Sequence, residues 1–233
     1  MAIEAIFFDA GFTLVLPSLP LTLAPLAGFD VHPTQEQLFA AERHAKHRLD
    51  EGHSHGNFGV DAQYWQTFYA HLLEQLGVAH DPALLDALAA STRRGINWRT
   101  VRPGTQEALQ SLRPRYRLGV ISNSDGTIGK LLDELDLGHY FESVTDSHLC
   151  GCEKPKPRIF LAALRSLDVA AERSIYIGDV YSVDFLGARG VGMEALLMDA
   201  AGVYAETAYP RVTSLDEIGS YLERKCAADT DRR

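Results

Sequence analysis

The chain has 233 residues, 46% apolar and 23% charged, which suits a soluble globular protein of one sizeable core plus an insert and excludes disordered and collagen-like classes. Asp and Glu outnumber Lys and Arg by 31 to 22, so a nucleic-acid backbone is a poor main partner and a small charged substrate offset by a metal fits better. No run approaches the roughly 18 apolar residues of a membrane span, the N-terminus reads straight into a strand without a basic leader, and Cys150, Cys152 and Cys226 lack metal or redox spacing, so a cytoplasmic protein with free thiols is expected.

The first predicted strand, residues 5–9, is an apolar run ending on Asp9, with Gly11, Phe12 and Thr13 directly behind it. A carboxylate at a strand end, followed by a glycine-containing turn whose amides can face an anion, is presented for chemistry. The stretch that follows is too long for one crossover and reads as helices at 34–49, 61–77 and 81–94. Gly77 closes the second, and Asp81 caps the third with Pro82 at its first position. The stripe Tyr64, Trp65, Phe68, Tyr69 and Leu72 has helical spacing and reads as packing.

The core resumes near Thr100 with a helix at 103–112 and a strand at 118–123 that ends on Ser122 and Asn123. A weaker strand at 141–147, a helix at 157–167, strands at 174–179 and 194–199 and a helix at 214–225 complete it. Strands alternating with helices predict an α/β fold, a parallel sheet covered on both faces. The core is expected over residues 1–16 and 100–226, and the inserted all-helical domain over 17–99. Ligands of such sheets bind beyond the carboxyl ends of the strands, so Asp9, Ser122 and Asp179 should converge there.

A carboxylate at Asp9 can attack phosphorus, provided that something cationic offsets two negative partners. Asp179 and Asp184, in "GDVYSVD", supply acids that could hold Mg²⁺ together with Asp9. Asp184 also suits the first turn of a helix, or support of a lysine. Lys154, in "GCEKPKPRIF", could neutralise Asp9 and phosphate oxygens, and Ser122 and Asn123 offer donors to the same oxygens.

Four stretches, "DAGFTL", "VISNS", "KPKPRIF" and "GDVYSVD", each at a strand end and in this order, resemble the haloacid dehalogenase superfamily. The resemblance implies a Rossmann-like core with a mobile helical cap of the C1 type where the insert falls. It implies Asp9 as nucleophile, Thr13 and Ser122 as phosphate contacts and Lys154 as charge neutraliser. It also implies Asp9, the Gly11 carbonyl and Asp179 as Mg²⁺ ligands. The expected activity is Mg²⁺-dependent hydrolysis of a small phosphorylated metabolite, a phosphate ester or acyl phosphate, through an aspartyl-phosphate at Asp9.

Phosphatases of this family place a second Asp two residues after the nucleophile, as acid to the leaving group and base to water. Here that residue is Gly11. General acid–base help contributes about 10²- to 10⁴-fold, so its loss slows hydrolysis of alkyl phosphates most. Three readings follow: a slow or specialised phosphatase with a proton donor from the cap, a reaction that needs no such acid, or a catalytically silent protein that binds a ligand or partner. The metal-free dehalogenases have no need of the Gly-Asp pair in "GDVYSVD". Phosphonate cleavage requires a Schiff-base lysine from the cap; Lys46 is in the cap, but "ERHAKHRLDEG" does not resemble that subfamily. His53 and His55, in the glycine-rich part of "RHAKHRLDEGHSHGNFG", are the candidate cap donors near the substrate, against the alternative of a solvated loop.

Overall fold

The structure, a computed structural model, describes residues 2–54 and 61–230; the side chains of residues 53, 54, 61, 62 and 228–230 are not among those described. In chain order, the amino-terminal part comprises β1 (Ala5–Phe8), β2 (Val15–Leu16), α1 (Leu19–Thr22), α2 (Gln35–Ser54), α3 (Asp61–Gln75), α4 (Pro82–Thr92) and β3 (Thr100–Val101). The rest comprises α5 (Thr105–Leu112), β4 (Arg117–Ser122), α6 (Ile128–Glu134), β5 (Ser143–Asp146), α7 (Ser147–Cys150), α8 (Pro157–Ser166), β6 (Ser174–Gly178), α9 (Leu186–Gly190), β7 (Glu194–Met198), β8 (Arg211–Val212) and α10 (Glu217–Thr230).

Six strands form one parallel sheet in the order β5-β4-β1-β6-β7-β8. The fold is therefore the expected α/β, Rossmann-like one, with β1 in the middle between β4 and β6. Alternation along β1 sorts the core: Ile6 and Phe8 face α5, α6 and α10, whereas Ala5 and Phe7 face α8 and α9. Gly119, opposite Phe7 in the register, has no side chain because a Cβ there would meet the Phe7 ring at 2.7 Å.

Helices α1 to α4 lie between β2 and β3, which pair antiparallel as a two-stranded stem. They pack around their own apolar cluster, in which Trp65, Phe68, Tyr69 and Leu72 meet Leu88 of α4. The stripe read from the sequence is the centre of that cluster. Asp81 caps α4, its Oδ1 accepting from the Leu84 amide at 2.8 Å, with Pro82 at the first helical position as predicted. No helix among the described residues is long and apolar enough to cross a membrane, and no disulfide joins the cysteines.

Candidate active site

The carboxyl ends of β1, β4 and β6 meet at one edge of the sheet. Asp9, one residue past β1, and Asp179 and Asp184, just past β6, each place a carboxylate oxygen within 4.8 Å of the others, all buried. Lys154 reaches this cluster from the loop before α8. Its Nζ donates to Asp9 Oδ1 at 2.5 Å, Asp184 Oδ1 at 2.8 Å and the Tyr176 hydroxyl at 2.8 Å, using all three protons. Burial opposes the Lys154 charge, but Asp184 and Asp9 outweigh it and hold the ammonium above the usual lysine range.

Asp184 has little capacity left for a metal. Its Oδ1 accepts from Lys154 and Tyr176, and its Oδ2 from the amides of Asp179 at 3.1 Å and Val180 at 2.9 Å. A π-helical turn, Tyr181–Phe185, folds it back under the strand end, and Gly178 makes room: a Cβ there would sit 2.5 Å from Asp184 Cγ. Of the roles open in the sequence, lysine support is the one the geometry displays. Asn123 is likewise engaged, its Oδ1 accepting from the Lys154 amide at 2.8 Å and its Nδ2 donating to the Lys154 carbonyl at 3.2 Å. It clamps the lysine loop and also lines the cavity.

Ser122 lines a cavity of about 580 Å³ together with Asp9, Gly11, Lys154 and Asp179. The loop behind it is fixed by Asp146, whose carboxylate accepts from the amides of Gly126, Ile128 and His148. Thr13 departs from the expectation for a phosphate contact. It is fully buried, does not line the cavity, and its Oγ1 finds no hydrogen-bond partner among the described residues. Of the candidate proton donors, His55 and the side chain of His53 lie outside the described residues.

A second lysine enters from the helical insert. Lys46 of α2 is 1% exposed, and its Nζ pairs with Asp179 Oδ2 at 2.7 Å and with Glu42 Oε1 at 2.6 Å, 5.6 Å from the Phe12 ring centre. Burial works against this ammonium too, yet Asp179 and Glu42 hold it above the ordinary lysine value. The same stripe of α2 carries Arg43, which donates to the Ala201 carbonyl at 2.8 Å. It also carries Asp50, which accepts from the Ser182 amide at 3.0 Å and the Tyr204 hydroxyl at 2.9 Å. Spacings of three and four put all three on one helical face, toward the sheet edge.

Gly11 has a reason that its sequence context hides. The left-handed turn behind Asp9 is made by Phe12, at φ 51°, and not by the glycine. A bulky residue rarely adopts that conformation, and such strain clusters at functional sites. Gly11 instead yields space: a Cβ there would lie 3.0 Å from Cζ3 and 3.2 Å from Cη2 of Trp98. The indole is pinned by Nε1 donating to the Thr92 carbonyl at 2.8 Å and by edge contacts with Phe12 and Trp65. An aromatic ring from just before β3 thus packs against the place where a side chain at position 11 would begin.

The electrostatics favour a bound cation. Among the described residues, four buried carboxylates, Glu42, Asp9, Asp179 and Asp184, directly contact two ammoniums. With all four ionised the excess is two negative charges, or one if the more distant Arg102 guanidinium is counted. Burial, then Asp184 and Asp179, outweigh Lys154 and push the Asp9 carboxyl up to about 8. Burial and Asp184 also raise Asp179 against the pull of Lys46. Carboxylates held in this state are suited to an oxygen-liganded divalent ion, which would lower both.

Three participants escaped the sequence reading of the site: Tyr176, Glu42 and the placement of Lys46. Tyr176 carried a signal, a phenol hydroxyl in the middle of a buried strand, which must find a partner. For α2 the signal was a charged residue at each of positions 42, 43, 46 and 50, on the face where a packed helix would carry apolar residues.

The model of the haloacid dehalogenase-like hydrolases matches residues 3–192. The chain is 32% identical over 231 residues to a protein of Methanothermobacter thermautotrophicus named glyceraldehyde 3-phosphate phosphatase, covering 95% of this chain and 99% of that one. It is 30% identical over 213 residues to the human haloacid dehalogenase-like hydrolase domain-containing protein 3, covering 85% and 82%. Among solved structures, the magnesium-bound putative HAD-hydrolase YfnB of Bacillus subtilis superposes with a TM-score of 0.68 at 19% identity, over 95% of this chain and 99% of that one. With the family model spanning most of its length and a phosphatase relative aligned nearly end to end, the chain belongs to the haloacid dehalogenase-like hydrolases.

Proposed function

We propose that the protein is a Mg²⁺-dependent phosphatase for small phosphorylated metabolites, working through an aspartyl-phosphate at Asp9. The observation that carries this reading is the contact set of Asp9: a buried carboxylate at a strand end, 2.5 Å from Lys154, beside Asp179 in an acid-rich pocket that opens to a cavity. A dehalogenase that works without metal has no use for that excess of acid.

Asp9, Asp179 and the Gly11 carbonyl would hold the ion, which when bound supplies the positive charge that offsets a phosphate against a carboxylate nucleophile. Asp9 attacks phosphorus, the bond from phosphorus to the ester oxygen breaks, and the leaving oxygen takes its proton from solvent. Water then attacks the same phosphorus, returning Asp9 as a carboxylate and releasing inorganic phosphate. Lys154 and the bound ion favour the ionised form of Asp9, and the ammonium beside it offsets the charge of the phosphate, with Ser122 as a donor. Asp184, Tyr176 and Asn123 act through Lys154 by fixing its ammonium and its backbone. The helices of residues 17–99 serve as the cap, and the core runs over 1–16 and 100–226.

With Gly11 covered by Trp98, no group stands two residues after the nucleophile to protonate the leaving oxygen. Substrates with good leaving groups, acyl phosphates included, are therefore favoured. The relative's name makes a three-carbon phosphate ester a direct substrate to assay. Phosphonate cleavage is disfavoured even though Lys46 reaches the site, since a Schiff base needs a neutral amine and two carboxylates hold this one charged. The Trp98 packing favours one second reading, a binding protein that keeps the phosphate pocket without turnover. Hydrolysis of p-nitrophenyl phosphate separates the two. The phosphatase reading expects a rate that needs Mg²⁺ and vanishes in Asp9→Asn; no rate in wild type leaves the binding protein, and halide release from haloacids without metal points to dehalogenation.

A further inference from the structure

Lys46 is the one charged group of the insert that makes direct contact with the metal-binding end of the acid cluster among the described residues. It does not line the cavity, so its ammonium addresses the site's own carboxylates and not the substrate. We propose that Lys46 is a built-in counter-cation that competes with the divalent ion at Asp179 and thereby couples metal binding to docking of the insert. The inference rests on the reading of the acid cluster as a metal site.

The geometry supports it in two steps. Lys46 Nζ lies 2.7 Å from Asp179 Oδ2, and Asp179 has a carboxylate oxygen within 4.8 Å of oxygens of Asp9 and Asp184. A dication held by Asp9 and Asp179 therefore sits within a few ångströms of a buried ammonium, where repulsion is poorly screened. Secondly, Lys46 does not sit on a loose side chain. It projects from the same face of α2 as Arg43 and Asp50, whose bonds to Ala201, Ser182 and Tyr204 join the insert to the core. Glu42, one turn away on the same helix, accepts from Lys46 at 2.6 Å and offers the ammonium a partner that moves with it. Displaced from Asp179, Lys46 keeps a counter-ion while α2 loses one of its ties to the core.

Two coupled expectations follow, because linkage is reciprocal. The ion, added alone, loosens the seating of α2. Removing the Lys46 charge tightens binding of the ion. An anionic ligand that adds negative charge beside the ion restores the balance and the seating.

The test is calorimetric titration of Mg²⁺ into the full chain and into Lys46→Gln and Lys46→Met, joined to hydrogen exchange at the Ser182 amide, which bonds across to Asp50. Gln keeps a donor for Glu42 if Met does not fold. The expected result is Mg²⁺ binding tighter by about tenfold or more in either variant. Wild type should exchange Ser182 faster on adding Mg²⁺ and slower again with Mg²⁺ plus orthovanadate, whereas the variants show no acceleration. Wild type that binds Mg²⁺ beside variants of equal or weaker affinity overturns the inference and leaves the metal site standing. If neither wild type nor folded variants bind the ion, both fall.

Discussion

Adding a single methyl at position 11 tests whether Trp98 occupies the place of the missing acid. In Gly11→Ala the new Cβ would lie 3.0 Å and 3.2 Å from two carbons of the indole, inside the 3.5–4.0 Å at which carbons rest comfortably. The ring cannot swing away freely, since its Nε1 is bonded to the Thr92 carbonyl and it makes edge contacts with Phe12 and Trp65. Overpacking of this kind costs about 1–3 kcal/mol. For a chain of this length that lowers the melting temperature by roughly 2–12 °C. Trp98→Leu removes the clashing atoms, so in Gly11→Ala/Trp98→Leu the alanine should cost at least about 0.5 kcal/mol less than it does alone. Urea unfolding of the four proteins reads this directly. The catalytic counterpart uses Gly11→Asp: alone it should bring no gain on an alkyl phosphate, whereas with Trp98→Leu it should recover part of the roughly 10²- to 10⁴-fold that an acid provides. Additive stabilities within about 0.3 kcal/mol, or a large gain from Gly11→Asp alone, would refute the reasoning.

Mg²⁺ binding should release a proton below pH 8. The metal-free Asp9 carboxyl is pushed up to about 8, the ion favours its charged form, and affinity should therefore rise with pH and level off above that value. Calorimetry in two buffers of different ionisation enthalpy checks it, and binding with no proton release would count against Asp9 as a ligand. Tyr176→Phe deletes the hydroxyl that accepts from Lys154 and donates toward Ile121 and Asp184; it should cost about 1–2 kcal/mol and lower kcat more than it raises KM. Asp184→Asn breaks a buried pair and should destabilise by about 3–5 kcal/mol, while Mg²⁺ still binds if Asp184 acts through Lys154. Loss of all Mg²⁺ binding in a folded Asp184→Asn protein would return that residue to the ligand set.

The sheet was legible because its strands are buried on both faces and end on polar residues: apolar runs stopping at Asp9, Ser122 and Asp179 mark both the strands and the edge where their ends meet. Short elements escaped for want of signal. β2 and β3 are two residues each, and β8 is another pair on the far edge. The π-helical turn that tucks Asp184 under Gly178 has no compositional mark. The turn expected behind Asp9 is present, but Phe12 takes its left-handed conformation and the glycine answers to Trp98, 87 positions away in the chain and invisible to any local window. Asn123 and Thr13 were legible only in part. Their residue types suit phosphate contacts; Asn123 is exposed and lines the cavity, but its amide also holds the Lys154 backbone, which no local window shows, and Thr13 is fully buried away from the cavity. Lys46 was noticed as a cap lysine, and the charges along its face of α2 mark a polar contact, yet its partner depends on how α2 lies against the residues after β6, which the sequence of α2 does not encode.

The central claim is that Asp9 carries the phosphoryl group, and trapping that adduct tests it most directly. Wild type mixed with p-nitrophenyl phosphate and Mg²⁺, quenched and treated with borohydride, should contain homoserine in place of Asp9 in the N-terminal peptide, with no such change in Asp9→Asn. Sustained turnover with an unmodified Asp9 peptide, or with the label on another residue, would contradict the account.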